Sequence, residues 1–404
     1  MRSRSNGNGP LAGVRVVDLT VMVLGPYGAQ IMADMGADVI KVEPSDGDDT
    51  RYISVGPEPS MGGVFVNVNR GKRSIVLDLQ CDTGKAALRG LIATADVFIH
   101  SMRAKAIGRL GFGYDDVAAI NPVIVYTNCY GYGRRGPGRD IPAYDDTIQA
   151  AWGLPSVQAQ LTGKATYVGT IMADKITGLT ALYATMMALF HRERTGEGQE
   201  VEVAMFETMA SFMLVEHANG AMFDPPLGPA VYPRTVAPNR RPYRTSDGYI
   251  AALIYNDKHW ATFIDAVRPA WTDSRYAALP QRARQIDDVY ALLAETLKEP
   301  TTEEWLKLFR ELEIPAAVLN TPRRPIRQPA PERRRILRDG RHTARPGALS
   351  GCVDLVFAYT RPSRPSGFAA ARRQRRRPPR TRPGGRGQPS PRLDVVIRTC
   401  AAHM

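Results

Sequence analysis

The sequence predicts an α/β protein: a parallel sheet flanked by helices, followed by a smaller α+β domain. Two patterns carry that expectation. Strand and helix signals alternate from residue 11 to residue 217, and the first strand, helix and strand lie within about 30 residues, the length of a βαβ unit with parallel strands. Past residue 219 the chain turns rich in Pro, Gly and Asn, and then shows a hairpin signal among helices.

Val14 to Leu19 is an apolar run interrupted only by Arg15 and Asp18, and reads as the first strand. Gly25-Pro26 ends it, Pro26 suits a first helical turn, and Gly36 closes that helix. Ala37–Val42 is a second strand and Ser74–Leu79 a third. Thr83–Thr94 is a helix capped by Asp82 or Thr83, Asp96–His100 a strand, Tyr114–Ile120 a short helix and Val123–Tyr126 a strand. Residues 129–139, CYGYGRRGPGR, form a basic glycine-rich loop. Tyr144–Trp152 and Lys175–Arg194 are helices, Glu200–Val203 a strand and Met205–His217 a helix. In the second part, Asp247-Gly248 between the apolar arms of Tyr243–Tyr255 marks a hairpin. Helices follow near 258–267, 287–298 and 302–311, the last opening TTEEW in capping-box style, and Pro315–Leu319 is a short strand. The expected division is a large Rossmann-like α/β domain over 1–224, a small α+β domain over 225–322, and an irregular tail over 323–404.

Composition narrows the function classes. The chain has 404 residues, 44% hydrophobic and 23% charged, which is ordinary for globular proteins and excludes disorder throughout. No apolar stretch reaches membrane-spanning length, and MRSRSNGNGP lacks the apolar core of a secretory signal. The four cysteines (Cys81, Cys129, Cys352, Cys400) form no CxxC pair, so reduced thiols in a cytoplasmic protein are expected. The net charge of +13 is unevenly placed: residues 323–404 hold 21 Arg, no Lys and four acids, a net of +17, leaving 1–322 at −4. The first four-fifths therefore carries no electrostatic case for nucleic-acid binding.

Motifs exclude further chemistry. The first strand–helix turn has Gly25 and Gly28 but no GxGxxG, which argues against a nicotinamide cofactor. GYGRRGPG lacks the Lys-Ser/Thr ending of a phosphate-binding loop and reads most simply as a mobile loop with anion affinity. There is no HExxH, no His pair at metal spacing and no GxSxG, and the six histidines read as structural or surface groups. One carboxylate stands apart. Asp174, in VGTIMADKITGLTALYATMMAL, is preceded by apolar residues and surrounded by Gly169, Ala173 and Gly178. It is either a helix cap or a partly desolvated, accessible nucleophile.

Several blocks together resemble the class III coenzyme A transferases, the family of formyl-CoA and carnitine CoA-transferases. They are GVRVVDLTVMVLGPYGAQIMADMGADVIKVE, NRGKRSIVLDL, ADVFIHSMRAKAIGRLGFGYDDVAAINPVIVYTNCYGYG, PAYDDTIQAAWG and ADKITGLTALYATMMALFHRERTGEGQEVEVAMFET, in family order over about 1–322. The resemblance implies that Asp174 is the catalytic aspartate and that 1–224 binds CoA. It implies coenzyme A and acyl-CoA as substrates, no permanently bound cofactor or metal, and an interlocked homodimer. The carboxylate would attack a thioester to give a mixed anhydride, then an aspartyl-CoA thioester, with backbone N–H groups of a glycine-rich turn steadying the oxyanions.

The CoA contacts carry over in part. Arg109 falls on the family's arginine, here in AIGRLGFG, and Leu77, Asp78 and Leu79 on the segment along the nucleotide. Ser101, Met102 and Arg103 match a loop usually reading NFRPG, here SMRAK, in which Arg103 and Lys105 keep the positive charge that CoA phosphates need. Val23, beside Leu24, replaces the family's polar residue in the first loop and implies a less polar acyl pocket. Tyr144 and Asp145 are expected to line the site. Related α-methylacyl-CoA racemases use a His-Asp dyad, and Tyr144 stands in the histidine's place; a phenol is a poor base for an α-proton at neutral pH, which favours transfer over racemisation. The tail departs from the family. Its Arg, Pro, Gly and Ala flavour is that of a GC-rich coding sequence read in another frame, so a frameshift near residue 323 is expected. The other reading is a true basic appendage that binds nucleic acid.

Overall fold

The computed structural model describes residues 9–271, 276, 278–321, 337–339 and 351–353. The chain divides into two compact units, the second of them residues 322–394. In the second, the described residues are two antiparallel strands in register from Leu337↔Val353 to Asp339↔Gly351. The expectations for the rest of 323–404, its origin included, lie outside the described residues.

The first unit opens with alternating elements: β1 (Arg15–Leu19), α1 (Leu24–Asp34), β2 (Asp38–Glu43), α2 (Gly63–Asn69), β3 (Arg73–Val76), α3 (Asp82–Ile92) and β4 (Val97–His100). It continues through α4 (Ala104–Arg109), α5 (Tyr114–Ile120), β5 (Val125–Tyr130), α6 (Asp145–Trp152), α7 (Leu154–Thr162), α8 (Met172–Thr195), β6 (Gln199–Ala204) and α9 (Met205–His217). The six strands form one parallel sheet in the order β3-β2-β1-β4-β5-β6. This is the α/β, Rossmann-like arrangement, and its strand order reverses between β1 and β4. A crevice outside the carboxyl ends of the strands is expected at that switch point. Two cores cover the sheet: one packs Val16, Val39 and Val97 with Ala181, Met209 and Met213, the other Val17, Phe98 and Tyr126 with Leu88, Phe112 and Val117. Alternate strand residues face opposite sides, so both layers are read from the same strands.

A separate core lies between residues 237 and 314. A short helix α10 (Pro233–Val236) leads to β7 (Tyr243–Arg244), β8 (Tyr249–Ala252), α11 (Asp257–Val267), α12 (Leu279–Arg284), α13 (Ile286–Thr296), α14 (Thr302–Glu311) and β9 (Ala316–Val318). The strands pair antiparallel in the order β7-β8-β9, with Asp247 and Gly248 in the expected hairpin turn. Phe263, Trp305 and Phe309 stack in the core, and Thr301 caps α14 with Glu304 as its capping-box partner.

Two strand boundaries differ notably from the sequence reading. β5 runs on through Cys129 and Tyr130, which pair with Val203 and Ala204, because the glycines that break it begin only at Gly131. β3 stops at Val76; it is an exposed edge strand, and only Leu77 N–H continues the pairing, to Glu43 C=O at 2.9 Å. The helices α2, α4 and α7 fall on stretches to which the sequence reading assigns no element.

α1 and α8 lie in close contact at two glycines. A Cβ on Gly178 would stand 2.4 Å from the Leu24 carbonyl oxygen, and one on Gly28 2.8 Å from the Gly178 carbonyl oxygen. Only hydrogen side chains allow this approach, which sets the start of α8 beside the loop between β1 and α1.

Candidate functional site

A cavity of about 410 Å³ opens at the switch point. Its walls come from the ends of three strands: Leu19, Val21 and Met22 at the end of β1, Ser101 to Arg103 after β4, and Cys129 to Tyr132 at the end of β5. Leu24, Ile141, Ala143, Tyr144 and Met205 make most of the remaining wall apolar, and Asp174 also lines the space.

Asp174 is the third residue of α8 and is half-buried. It does not cap its helix: the N-cap position is Ile171, which makes no side-chain hydrogen bond. The cap is supplied from α6, where Asp145 Oδ1 accepts the Asp174 N–H at 2.9 Å. Asp145 is 6% exposed, and Gln149 Nε2 donates to its Oδ2 at 2.6 Å. Gln149 is itself held, its Oε1 accepting the Val168 N–H at 3.3 Å. Burial, and then the like charge of Asp145, push the Asp174 carboxyl up to about 7. The cavity thus holds a carboxyl group that is ionised for only part of the population at neutral pH and is poorly solvated when it is.

The loops around it are tied to one another. Val21 N–H donates to Ser101 Oγ at 3.1 Å, and Met102 N–H to His100 Nδ1 at 3.2 Å. His100 is fully buried, and burial pulls its imidazole down to about 4, so it stays neutral at pH 7. Met22 adopts φ 63°, the left-handed region that non-glycine residues rarely enter. Gly131 lines the cavity where a Cβ would meet Ala143 Cβ at 2.3 Å.

In the glycine-rich loop, expected to be mobile with anion affinity, Arg134 is engaged by carboxylates while Arg139 lines the cavity. Arg134 folds back onto the sheet, with Nε donating to Glu202 Oε2 at 2.6 Å and NH1 2.9 Å from Glu200 Oε1. Gly133 N–H donates to Glu207 Oε1 at 3.0 Å. The cations that reach the cavity are Arg103 and Arg139. At its rim the exposed Lys105 pairs with Asp140 at 2.7 Å, a solvent-screened contact of little energetic weight.

Of the residues singled out in the sequence, Leu24, Ser101, Met102, Arg103, Tyr144 and Asp174 line this cavity. Asp145 lies behind Asp174, and Val23 is buried at the N-cap of α1. The others are elsewhere. Leu77 and Leu79 pack against the core containing Leu88 and Phe112, Asp78 is exposed with its Oδ1 accepting the Gln80 N–H, and Arg109 is exposed at the end of α4. Met22, Asp49, Tyr130, Arg139 and Met205 were not anticipated. Tyr130 and Arg139 belong to the basic loop noted in the sequence, but no local pattern points the five to one site, and only the sheet order brings them together.

Comparison with known proteins follows the same outline. The family model described as CoA-transferase family III matches residues 11–379, a range that continues past residue 322. The chain is 32% identical over 311 residues to a succinate–glutarate CoA-transferase of Agrobacterium fabrum, covering 74% of this chain and 77% of that protein. It is 32% identical over 341 residues to an acyl-CoA transferase of Fusarium pseudograminearum, covering 79% and 73%. Among solved structures, Rv3272 from Mycobacterium tuberculosis in its orthorhombic form superposes with a TM-score of 0.68 at 31% identity, covering 80% of this chain and 88% of that one.

Proposed function

The chain belongs to CoA-transferase family III, and from that premise we propose that Asp174 is the nucleophile of a coenzyme A transfer from an acyl-CoA thioester to a free carboxylic acid. That the protein is an enzyme of the class III transferases rests on the family; the course of the reaction is our reading. The observation that carries it is the position of Asp174, half-buried in an apolar-walled cavity with its carboxyl raised to about 7.

The ionised Asp174 oxygen attacks the donor thioester carbonyl, the C–S bond breaks, and CoA leaves as a thiolate. The product is a mixed anhydride between Asp174 and the donor acid. The thiolate then attacks the Asp174 carbonyl carbon, releasing the donor carboxylate and leaving an aspartyl-CoA thioester. The acceptor carboxylate attacks that thioester and the two steps run in reverse, so that Asp174 is regenerated as a carboxylate. Both intermediates are open to hydrolysis, and the apolar walls of Leu24, Met102, Ile141 and Met205 limit water. No metal or redox cofactor enters these steps.

In this reading residues 1–224 form the CoA-binding domain and 225–322 the smaller one. Arg103, Lys105 and Arg109 meet CoA phosphates, Leu77 to Leu79 lie along the nucleotide, Val23 and Leu24 border the acyl group, and Tyr144 and Asp145 support the pocket. No histidine lines the cavity among the described residues, so the His-Asp dyad of the racemases would have only its aspartate there. A homodimer is also part of the reading. Tyr183, Met187 and Phe190 on α8 and Phe212 and Val215 on α9 leave a large apolar face exposed, beside a groove of about 460 Å³, which suits burial against a second copy. The chain has no helix long and apolar enough to cross a membrane among the described residues; a cytoplasmic location is proposed from its cysteine pattern.

The deciding experiment incubates purified protein with succinyl-CoA and glutarate, the pair suggested by the Agrobacterium relative's name, and with other donor–acceptor pairs. Exchange is followed by mass spectrometry. Asp174→Ala should abolish transfer, and borohydride or hydroxylamine should modify Asp174 only when donor is present. Transfer at the wild-type rate in Asp174→Ala would overturn the proposal. A clean monomer by light scattering at micromolar concentration would remove the dimer.

A further inference from the structure

The three residues that leave β1 for the cavity wall, Thr20, Val21 and Met22, are each held through the main chain by a side chain from elsewhere. Lys41 Nζ, on β2, donates to the Thr20 carbonyl at 2.9 Å. Ser101 Oγ accepts the Val21 N–H, and Asp48 Oδ1 accepts the Met22 N–H at 3.4 Å. Lys41 and Asp48 are bonded to each other at 2.8 Å, with side chains 1% and 0% exposed. Asp48 is fixed in turn: its Oδ1 accepts Thr50 N–H at 3.0 Å and Thr50 Oγ1 at 2.6 Å, and its own N–H donates to Glu43 Oε2 at 3.0 Å. One buried ion pair therefore grips both ends of a short turn, the carbonyl of its first residue and the N–H of its third.

That turn holds an unfavourable conformation. Met22 has φ 63°, where its Cβ crowds its own backbone, and such a residue persists only where its surroundings over-determine it. Thr20 is also pressed against Gly25, where a Cβ would lie 2.2 Å from the threonine methyl. Both Val21 and Met22 line the cavity that contains Asp174. A buried ion pair is a poor source of net stability, because the cost of desolvating both charges offsets their attraction.

We propose that the Lys41–Asp48 pair is a positioning device that holds the Thr20–Met22 turn, with Met22 left-handed, as one wall of the cavity in which Asp174 reacts. The link to catalysis rests on the function proposed above; the link to the turn does not. Lys41 and Asp48 touch no substrate and act through the turn. Loosening it lets the wall relax away from its reactive position, which lowers turnover more than it weakens donor binding.

The test uses the full-length protein and two readouts, hydrogen exchange of the amides from Val21 to Leu24 and turnover with succinyl-CoA and glutarate. Asp48→Asn should raise exchange at those amides at least tenfold and lower kcat at least tenfold, with KM for the donor within threefold of wild type. Adding Met22→Gly, which removes the steric cost of the left-handed residue, should recover at least threefold in kcat. If Asp48→Asn does not fold, the apolar pair Lys41→Met with Asp48→Leu releases the turn without leaving an unpaired charge and should show the same two changes. Unchanged exchange and kcat in a folded variant overturn the proposal, as does a loss that Met22→Gly fails to relieve. Should wild type show no transfer, or Asp174→Ala retain it, the functional reading falls, while the exchange rates still decide whether the pair holds the turn.

Discussion

Asp145 Oδ1 accepts the main-chain N–H of Asp174 at 2.9 Å. One aspartate thus caps the helix that carries the other, and its charge lies close enough to oppose ionisation of its neighbour. The contact fixes the backbone that carries the Asp174 carboxyl and helps set when that carboxyl is charged.

The first prediction concerns pH and activity. The proposed reaction starts from ionised Asp174, so kcat/KM should fall below about pH 7, where burial and Asp145 have raised its carboxyl. In Asp145→Asn the amide oxygen still accepts the N–H but the like charge is gone. The acid limb of the profile should then move to lower pH. An unmoved limb would show that Asp145 does not act on Asp174 through its charge.

The second concerns stability. A carboxyl raised from 3.8 to about 7 in the folded state keeps its proton there while the unfolded chain loses it. Its contribution is fully present below about pH 4 and is lost as pH rises through about 7. Asp174→Asn cannot ionise, so it should melt above wild type at pH 8, by about 1–3 kcal/mol after allowance for the group's partial exposure, with the difference shrinking toward pH 4. Thermal melts across that range measure it.

Gly178→Ala should be damaging out of proportion to one methyl group. The new Cβ meets the Leu24 carbonyl oxygen at 2.4 Å, a backbone atom that cannot rotate away. We expect a loss of about 1–3 kcal/mol in denaturant unfolding. Transfer should fall as well, because α8 carries Asp174 one turn earlier and α1 borders the same cavity.

Lys72→Met should cost more. Lys72 Nζ lies 2.8 Å from Asp18 Oδ2, both side chains being almost fully buried, and the variant leaves Asp18 charged without its partner. A loss of about 3–5 kcal/mol is expected, most of it recovered when Asp18→Leu is added. Equal stability of the single and double variants would contradict that origin.

Much of this protein was legible in the chain. Alternation of apolar runs with helical segments determined the parallel α/β class, because strands buried on both faces must be apolar and parallel neighbours must be joined by crossovers. Pro26 falls in the first turn of α1 and Asp247-Gly248 in a hairpin turn, both through backbone restrictions that act locally. Asp174 stood out because a carboxylate among small and apolar residues is costly to leave without a purpose. The order of the strands, however, depends on packing between segments far apart in sequence. Only that order brings Met22, Ser101, Tyr130 and Asp174 around one space. The capping of Asp174 by Asp145 and the left-handed turn at Met22 were likewise settled by tertiary contacts. A hydrogen bond between helices, or a strained φ held by a distant ion pair, leaves no periodic trace in the residues that make it.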